Sequence, residues 1–343
     1  MNDSILLPPE WAPQSGVMIT WPHEETDWAY MLDEAVACFR DLAREISQRE
    51  RLLIVCKDEM SVRQALGGVM NDNITFRVME TNDTWARDHG PITVFKDGEP
   101  CLYDFQFNGW GMKFAANFDN QITRKLYHSN TFGKRVEYKN LLYYTLEGGS
   151  IESDGCGTIL TTAECLLSPN RNDHLSKEEV EDFLKKSLGA KRVLWLNHGY
   201  LAGDDTDSHV DTLARLCDEK TIAYVKCDDP SDEHYEALKK MEDELKSFKD
   251  NEGNPYRLVA LPMADGRFEE EFRLPATYAN FLIMNGAVLM PTYRSEKDQA
   301  AIAALRTAFP DREIVGVDCS ALIHQHGSLH CVTMQFPKGV LGE

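Results

Sequence analysis

The feature that most constrains this chain is a unit that recurs about every 60 residues. Each copy opens with a predicted hairpin. "PITVFKDGEPCLYDFQF" (91–107) turns at Asp97-Gly98, and "SIESDGCGTILTTAECLL" (150–167) turns near Asp154-Gly155. "HVDTLARLCDEKTIAYVKC" (209–227) turns at 218–220, and "ANFLIMNGAVLMPTY" (279–293) turns at Asn285-Gly286. A helical pattern and a short strand follow the last three: 176–189 then "RVLWL", 231–250 then "YRLVAL", "EKDQAAIAALRTAFP" then "EIVGV". In the first of these helices Val180, Phe183, Leu184 and Leu188 form an apolar stripe, with Ser176 at the N-cap position. The first hairpin is followed less regularly, through 115–128 and "RVEY".

Repetition of a ββαβ unit at this period points to an α/β array or propeller. The N-terminus supplies one strand (16–22), a helix (29–48) and "RLLIVC"; the C-terminus supplies the single strand "HCVTMQF" (330–336). Pairing those two end strands completes a fifth unit and closes a ring, which removes sheet edges. An open α/β sheet is the competing architecture. No Pro/Gly/Ser-rich linker interrupts residues 1–343, so a single domain is expected.

Polar clusters sit at the same phase of the repeat, just ahead of each hairpin: "WARDHGP" (85–91), "EGGS" (147–150), "DSHVD" (207–211) and, before the last strand, "SLHC" (328–331). On strands, His209 and Asp211 are expected to share a face, whereas His330 and Cys331 are not. Cys331 is therefore assigned to the centre and His330 to a structural place outside it. Taken singly, each has an ordinary reading: a turn aspartate, a Gly-Gly bulge, a solvated pair, a buried thiol. Taken together, Cys331, His209, Asp88, Asp211 and Glu147 converge. Two chemistries use such a set. Histidine with three carboxylates can bind a metal; a thiolate with histidine and carboxylates can do covalent catalysis. Paired aspartates call for a cation between them, and a planar guanidinium pairs bidentately with carboxylates.

The formal charge of −20, from 36 Lys+Arg against 56 Asp+Glu, argues against a nucleic-acid partner. No apolar run reaches membrane-spanning length, and "MNDSILLPPEW" has no basic leader region. Nine cysteines without a CxxC pair fit free thiols in a reducing cytoplasm and no Cys-type zinc site.

"WARDHGP", "EGGSIESDGCGTILTTAECLLSPNRN", "HGYLAGDDTDSHVDTLARL" and "HGSLHCVTMQ", with the opening "PPEWAPQSGVMITWPHEETDW", resemble the agmatine deiminases, relatives of the bacterial peptidylarginine deiminases in the guanidine-modifying (pentein) superfamily. The resemblance spans nearly the whole chain. It implies a five-bladed α/β propeller and hydrolysis of agmatine to N-carbamoylputrescine and ammonia, in polyamine (putrescine) synthesis, without metal or cofactor. It implies Cys331 as nucleophile, His209 as general acid/base, Asp88 and Asp211 as the guanidinium grip, and Glu147 beside the histidine. Trp85 is expected to line the substrate channel. The family often carries Gly-Gly-Gly-Asn-Ile-His-Cys before the nucleophile; here Gln325 to Cys331 keeps only Gly327.

Substrate choice follows from charge. Asp204, Asp205 and Asp207 beside His209 favour a dication such as agmatine over free arginine, with Asp205 assigned to substrate binding and an ordinary solvated loop as the alternative. Peptidylarginine stays open. So do a metallohydrolase using His209, Asp88, Asp211 and Glu147, and a non-catalytic pentein such as a ribosome-binding factor. A homo-oligomer is compatible with the sequence, which carries no interface signature.

Overall fold

A computed structural model describes residues 4–342; the first three residues of the N-terminal reading lie outside them. Three of the four hairpins lead into a helix of 12 or 13 residues and a third strand parallel to the hairpin's second. Ile151–Ser153 and Thr158–Thr162 are joined by Arg192–Leu196. Ala214–Asp218 and Thr221–Lys226 are joined by Arg257–Pro262, and Leu282–Met284 and Ala287–Thr292 by Glu313–Asp318. A helix is the natural return path between parallel neighbours.

The connecting helices form where the apolar spacing predicts. Lys177–Leu188 starts with a capping box: the Ser176 hydroxyl accepts from the Glu179 amide, and the Glu179 carboxylate accepts from the Ser176 amide. It stops at Gly189, whose φ of 71° no longer fits a helix. Its buried stripe is Val180, Leu184 and Leu188. Tyr235–Ser247 and Lys297–Ala308 fill the same place in the next two units.

The first hairpin, Ile92–Lys96 with Glu99–Gln106, turns through Asp97 (φ 50°) and Gly98 (φ 87°), both left-handed as a two-residue hairpin requires. Its third strand is the parallel Glu137–Thr145. The helix between them, Ile122–His128, is only seven residues long, which explains its weak sequence signal. On the other side Ile5–Leu6 adds a short edge.

The ends of the chain meet. Thr333–Pro337 pairs antiparallel with Gln14–Thr20, Met334 opposite Met18, and Gln14–Thr20 continues in parallel to Arg51–Cys56 and Ile74–Val78. Between the first two parallel strands runs Leu32–Ser47, burying Phe39, Leu42 and Ile46. The strands form separate small sheets rather than one open sheet. Several elements have no counterpart in the periodic reading, among them the helix Glu59–Leu66, the strand Ile74–Val78 and the hairpin Arg267–Glu269 with Phe272–Leu274. No helix among the described residues is long and apolar enough to cross a membrane.

Candidate active site

The segments that lead into the hairpins and the last strand come together, and the polar clusters lie in those segments. They are not on strands. Asp88 is in the single helical turn Ala86–His89, ahead of Ile92–Lys96. Glu147 leads the 3-10 turn Gly148–Ser150, and His209 leads Val210–Thr212, which contains Asp211. Cys331 lies in a turn before Thr333. The strand-based expectation that His209 and Asp211 share a face is therefore corrected. A tight turn brings them together, because the hairpin's first strand begins only at Ala214. The expected second set of strand faces for His330 and Cys331 fails for the same reason, since their strand begins at Thr333.

The closest approach is at Gly149. A Cβ there would lie 2.7 Å from His209 Nδ1, 2.9 Å from Asp88 Oδ1 and 3.0 Å from Asp211 Oδ2. Three ionisable side chains thus meet over one bare Cα, and only glycine leaves them room. His209 Nδ1 stands 3.6 Å from Asp88 Oδ1. Asp88 accepts from the Gly149 amide at 3.0 Å and from Trp110 Nε1 at 2.9 Å. Asp211 Oδ2 lies 2.7 Å from His330 Nδ1, while its Oδ1 is buried with no partner in the protein. Both ring nitrogens of His209 are equally bare.

Burial raises the Asp88 carboxyl to about 6, with Asp211 and Glu147 adding to the rise and His209 and Trp110 opposing it. Burial also acts on Asp211, but there His330, His209 and Arg215 win and its carboxyl lies below the ordinary range. For His209, burial favours the neutral ring; Asp88, Cys165 and Glu147 outweigh it and hold the imidazole up at about 10. Burial, then Asp211 and Asp88, push the Cys331 thiol well above its ordinary value. Without a cation in the cleft, this thiol keeps its proton.

Glu147 is fixed from behind. Arg171 Nε reaches both its oxygens, at 3.0 and 3.1 Å, and Arg171 Nη1 bonds Asp207 at 2.6 Å. Cys165, Glu147 and His209 present atoms within 4.8 Å of one another. Glu10, Glu152 and His330 form a similar cluster. In that second cluster Arg215 already provides the cation, 2.6 Å from Glu152 and 2.9 Å from Glu10. In the first, both Glu147 oxygens are committed to Arg171.

Above Cys331 opens a cleft of about 420 Å³, lined by Asp27, Asp83, Trp85, Asp88, Trp110, Phe114, Asp205 and residues 325–327. Trp85 and Trp110 pack edge to face at 6.1 Å, and Phe114 closes on Trp110 at 5.5 Å. Gly327 makes this wall feasible: a Cβ there would stand 2.1 Å from the Trp85 ring. The loss of the other family glycines therefore leaves the one that faces the indole.

The acidic loop divides. Asp205 lines the cleft as expected. Asp204 instead accepts from the Thr206 hydroxyl and the Ser208 amide, and Asp207 is neutralised by Arg171 and Lys113. Those two acids are engaged within the loop and by Arg171 and Lys113.

Four residues escaped the sequence reading. Asn280 occupies the cluster phase of the fourth unit, where only its polarity amid "TYANFLI" marked it. Its Oδ1 accepts from the His330 amide at 2.9 Å, the Cys331 amide at 3.3 Å and the Cys331 thiol at 3.4 Å. Trp110 was marked by its flanking glycines, and Arg171 by the quoted "SPNRN". Cys165 carried no signal.

The sequence profile of the Porphyromonas-type peptidyl-arginine deiminases matches residues 6–337. The agmatine deiminase of Ectopseudomonas mendocina is 33% identical over 359 residues, covering 98% of this chain and 96% of that one. Among solved structures, the putative arginine deiminase of Porphyromonas gingivalis superposes with TM-score 0.95 at 55% identity, covering 98% of this chain and 99% of that one. The C. jejuni agmatine deiminase with substrate bound superposes with TM-score 0.92 at 38% identity, covering 98% and 97%. Matched by that profile over nearly its whole length, this chain belongs to the Porphyromonas-type peptidyl-arginine deiminase family.

Proposed function

We propose that this protein hydrolyses agmatine to N-carbamoylputrescine and ammonia. One observation carries the choice of substrate: the cleft over Cys331 is lined by Asp27, Asp83, Asp88 and Asp205 and by no lysine or arginine. A guanidinium at the floor and an ammonium toward the mouth both meet carboxylates. Free arginine would bring an α-carboxylate among these acids, where the nearest basic side chains, His326 and Lys113, already face Asp205 and Asp207. The bound form reported for the C. jejuni relative is consistent with this reading.

In the proposed mechanism the substrate cation enters between Asp88 and the bare Asp211 Oδ1. Its charge offsets both aspartates, which are what hold the proton on the thiol. Cys331 Sγ then bonds to the guanidinium carbon. The thiol gives up its proton to solvent as the cation arrives; His209, charged at rest, gives its proton to the departing nitrogen, and the carbon–nitrogen bond breaks to release ammonia and leave a neutral imidazole. An S-alkylthiouronium remains on Cys331. Water, deprotonated by the neutral His209, adds to the same carbon; the carbon–sulfur bond breaks, the second water proton returns to the sulfur, and the ureido product leaves. Glu147, next to His209 and anchored by Arg171, favours the charged ring from which the first step starts and to which the second returns. Trp85 and Trp110 exclude water from the first step.

The same reading takes the chain as one catalytic domain, a five-bladed propeller with the five sheets around the site and the Gln14–Thr20 pairing with Thr333–Pro337 closing the ring.

Ammonia release should be measured with agmatine, free arginine and an arginine peptide, with and without iodoacetamide. Agmatine should be turned over, and alkylation or Cys331→Ala should reduce turnover by about a thousandfold or more. Preferred turnover of the peptide would overturn the substrate assignment. Activity that survives alkylation but not a chelator would overturn the mechanism.

A further inference from the structure

Asp211 must present one oxygen to a cation while being wholly buried. What holds it there is a chain of charged groups leading away from the cleft. His330 Nδ1 stands 2.7 Å from Asp211 Oδ2, and His330 Nε2 stands 2.7 Å from Glu10 Oε2. A carboxylate oxygen faces each ring nitrogen, and Arg215 Nη2 also stands 3.1 Å from His330 Nε2. Arg215 Nη2 donates to the same Glu10 oxygen at 2.9 Å, and Arg215 Nε to Glu152 at 2.6 Å. The other Glu10 oxygen accepts from the Ile283 amide at 2.7 Å. Every member is buried.

The members come from far apart in sequence: Glu10 before the first long strand, Arg215 in the third hairpin, His330 beside Cys331. We propose that His330 is a positioning residue: backed by Glu10 and Arg215, it occupies Asp211 Oδ2 and so fixes the bare Oδ1 toward the substrate cation. Three features support this over a purely structural histidine. Only one Asp211 oxygen is satisfied in the protein. The ring cannot turn without breaking a bond to one carboxylate or the other. Its backbone amide is also pinned by Asn280, which holds Cys331 as well. Grip and nucleophile are thus set in one frame. The assignment rests on the agmatine reading above.

The test compares two amides that differ in reach. In His330→Asn the amide nitrogen stands near the place of Nδ1 and can still donate to Asp211; in His330→Gln it stands near the place of Nε2 and cannot. Each is made in the Cys331→Ala protein, and agmatine binding is measured by calorimetry. The asparagine variant should bind within about threefold of its parent, and the glutamine variant about tenfold or more weakly, as loss of a bond to a charged group predicts. Thermal unfolding should register both, since both lose the Glu10 or Asp211 link. Equal affinity in the two variants would overturn the positioning role. If the Cys331→Ala parent binds no agmatine, the substrate reading itself fails, and this assignment with it.

Discussion

Asp88 and Asp211 flank one thiol, yet their surroundings are opposite. Asp88 is held by neutral donors, a backbone amide and an indole, and burial lifts its carboxyl to about 6. Asp211 is held by an imidazole backed by Glu10 and Arg215, and its carboxyl is pulled down. Burial costs the charge in both places. Only at Asp211 do the neighbouring cationic groups outweigh that cost; at Asp88 His209 offsets part of it. The negative charge of Asp211 is therefore a fixture of the fold, whereas that of Asp88 depends on His209 or on a cation arriving from outside.

The contrast is most open to attack through stability. Asp211→Asn should cost about 3–5 kcal/mol, because it leaves charged partners unpaired in the interior. Asp88→Asn should cost no more than about 1 kcal/mol, because the charge it removes is one that burial opposes. Urea unfolding at pH 8 measures both, and a larger loss for Asp88→Asn would break the comparison.

The pH dependence has opposite signs. The Asp211 pKa is lowered on folding, so its ionised form adds stability above the ordinary 3.8, and that stability is lost as pH falls through the folded value. The Asp88 pKa is raised on folding to about 6, so the folded state binds the proton first and loses stability as pH rises from 3.8 to about 6. Unfolding midpoints between pH 4.5 and 7 should therefore fall less for Asp88→Asn than for the wild type as pH rises. Parallel curves would remove Asp88 from that account.

Reactivity of Cys331 sharpens the same point. Its thiol is held protonated by burial and by the two aspartates. A chloroacetamidine carries its own cation into the grip, so it should alkylate Cys331 about tenfold or more faster than neutral iodoacetamide at pH 7.5. The advantage should shrink in Asp211→Asn. Equal rates for the two reagents would show that the aspartates do not control the thiol. The smallest effect is expected at the cleft mouth. Asp205 is half-buried, and a partly solvated charge pair contributes little, so Asp205→Asn should raise KM for agmatine about two- to fivefold with kcat unchanged. A fall in kcat instead would place Asp205 in the chemistry.

Much of the fold could be read in the sequence because it is local. Turn pairs such as Asp97-Gly98, the Ser176–Glu179 cap and the helical stripes act within a few residues. Long-range pairing of the end strands followed from counting unpaired strands. The clusters could be located, since they recur at one phase, but their conformation could not. Period-two logic placed His209 and Asp211 on a strand, and a 3-10 turn took its place. Asp204 and Asp207 illustrate a second failure: composition marks acids but not their partners, and Lys113 and Arg171 come from elsewhere in the chain.

By itself the sequence determined the repeat, the hairpins, and the residue types brought to each leading segment. It also determined the formal net charge of −20. Only the tertiary structure decided how each side chain is used. It set Asn280 against Cys331, divided the roles of Asp88 and Asp211, and turned His330 from the neighbour of a nucleophile into the support of a carboxylate 119 residues away. The physical reason is that charge and proton affinity in a buried site depend on distances of a few ångströms between distant parts of the chain. Those distances exist only once the sheets have packed.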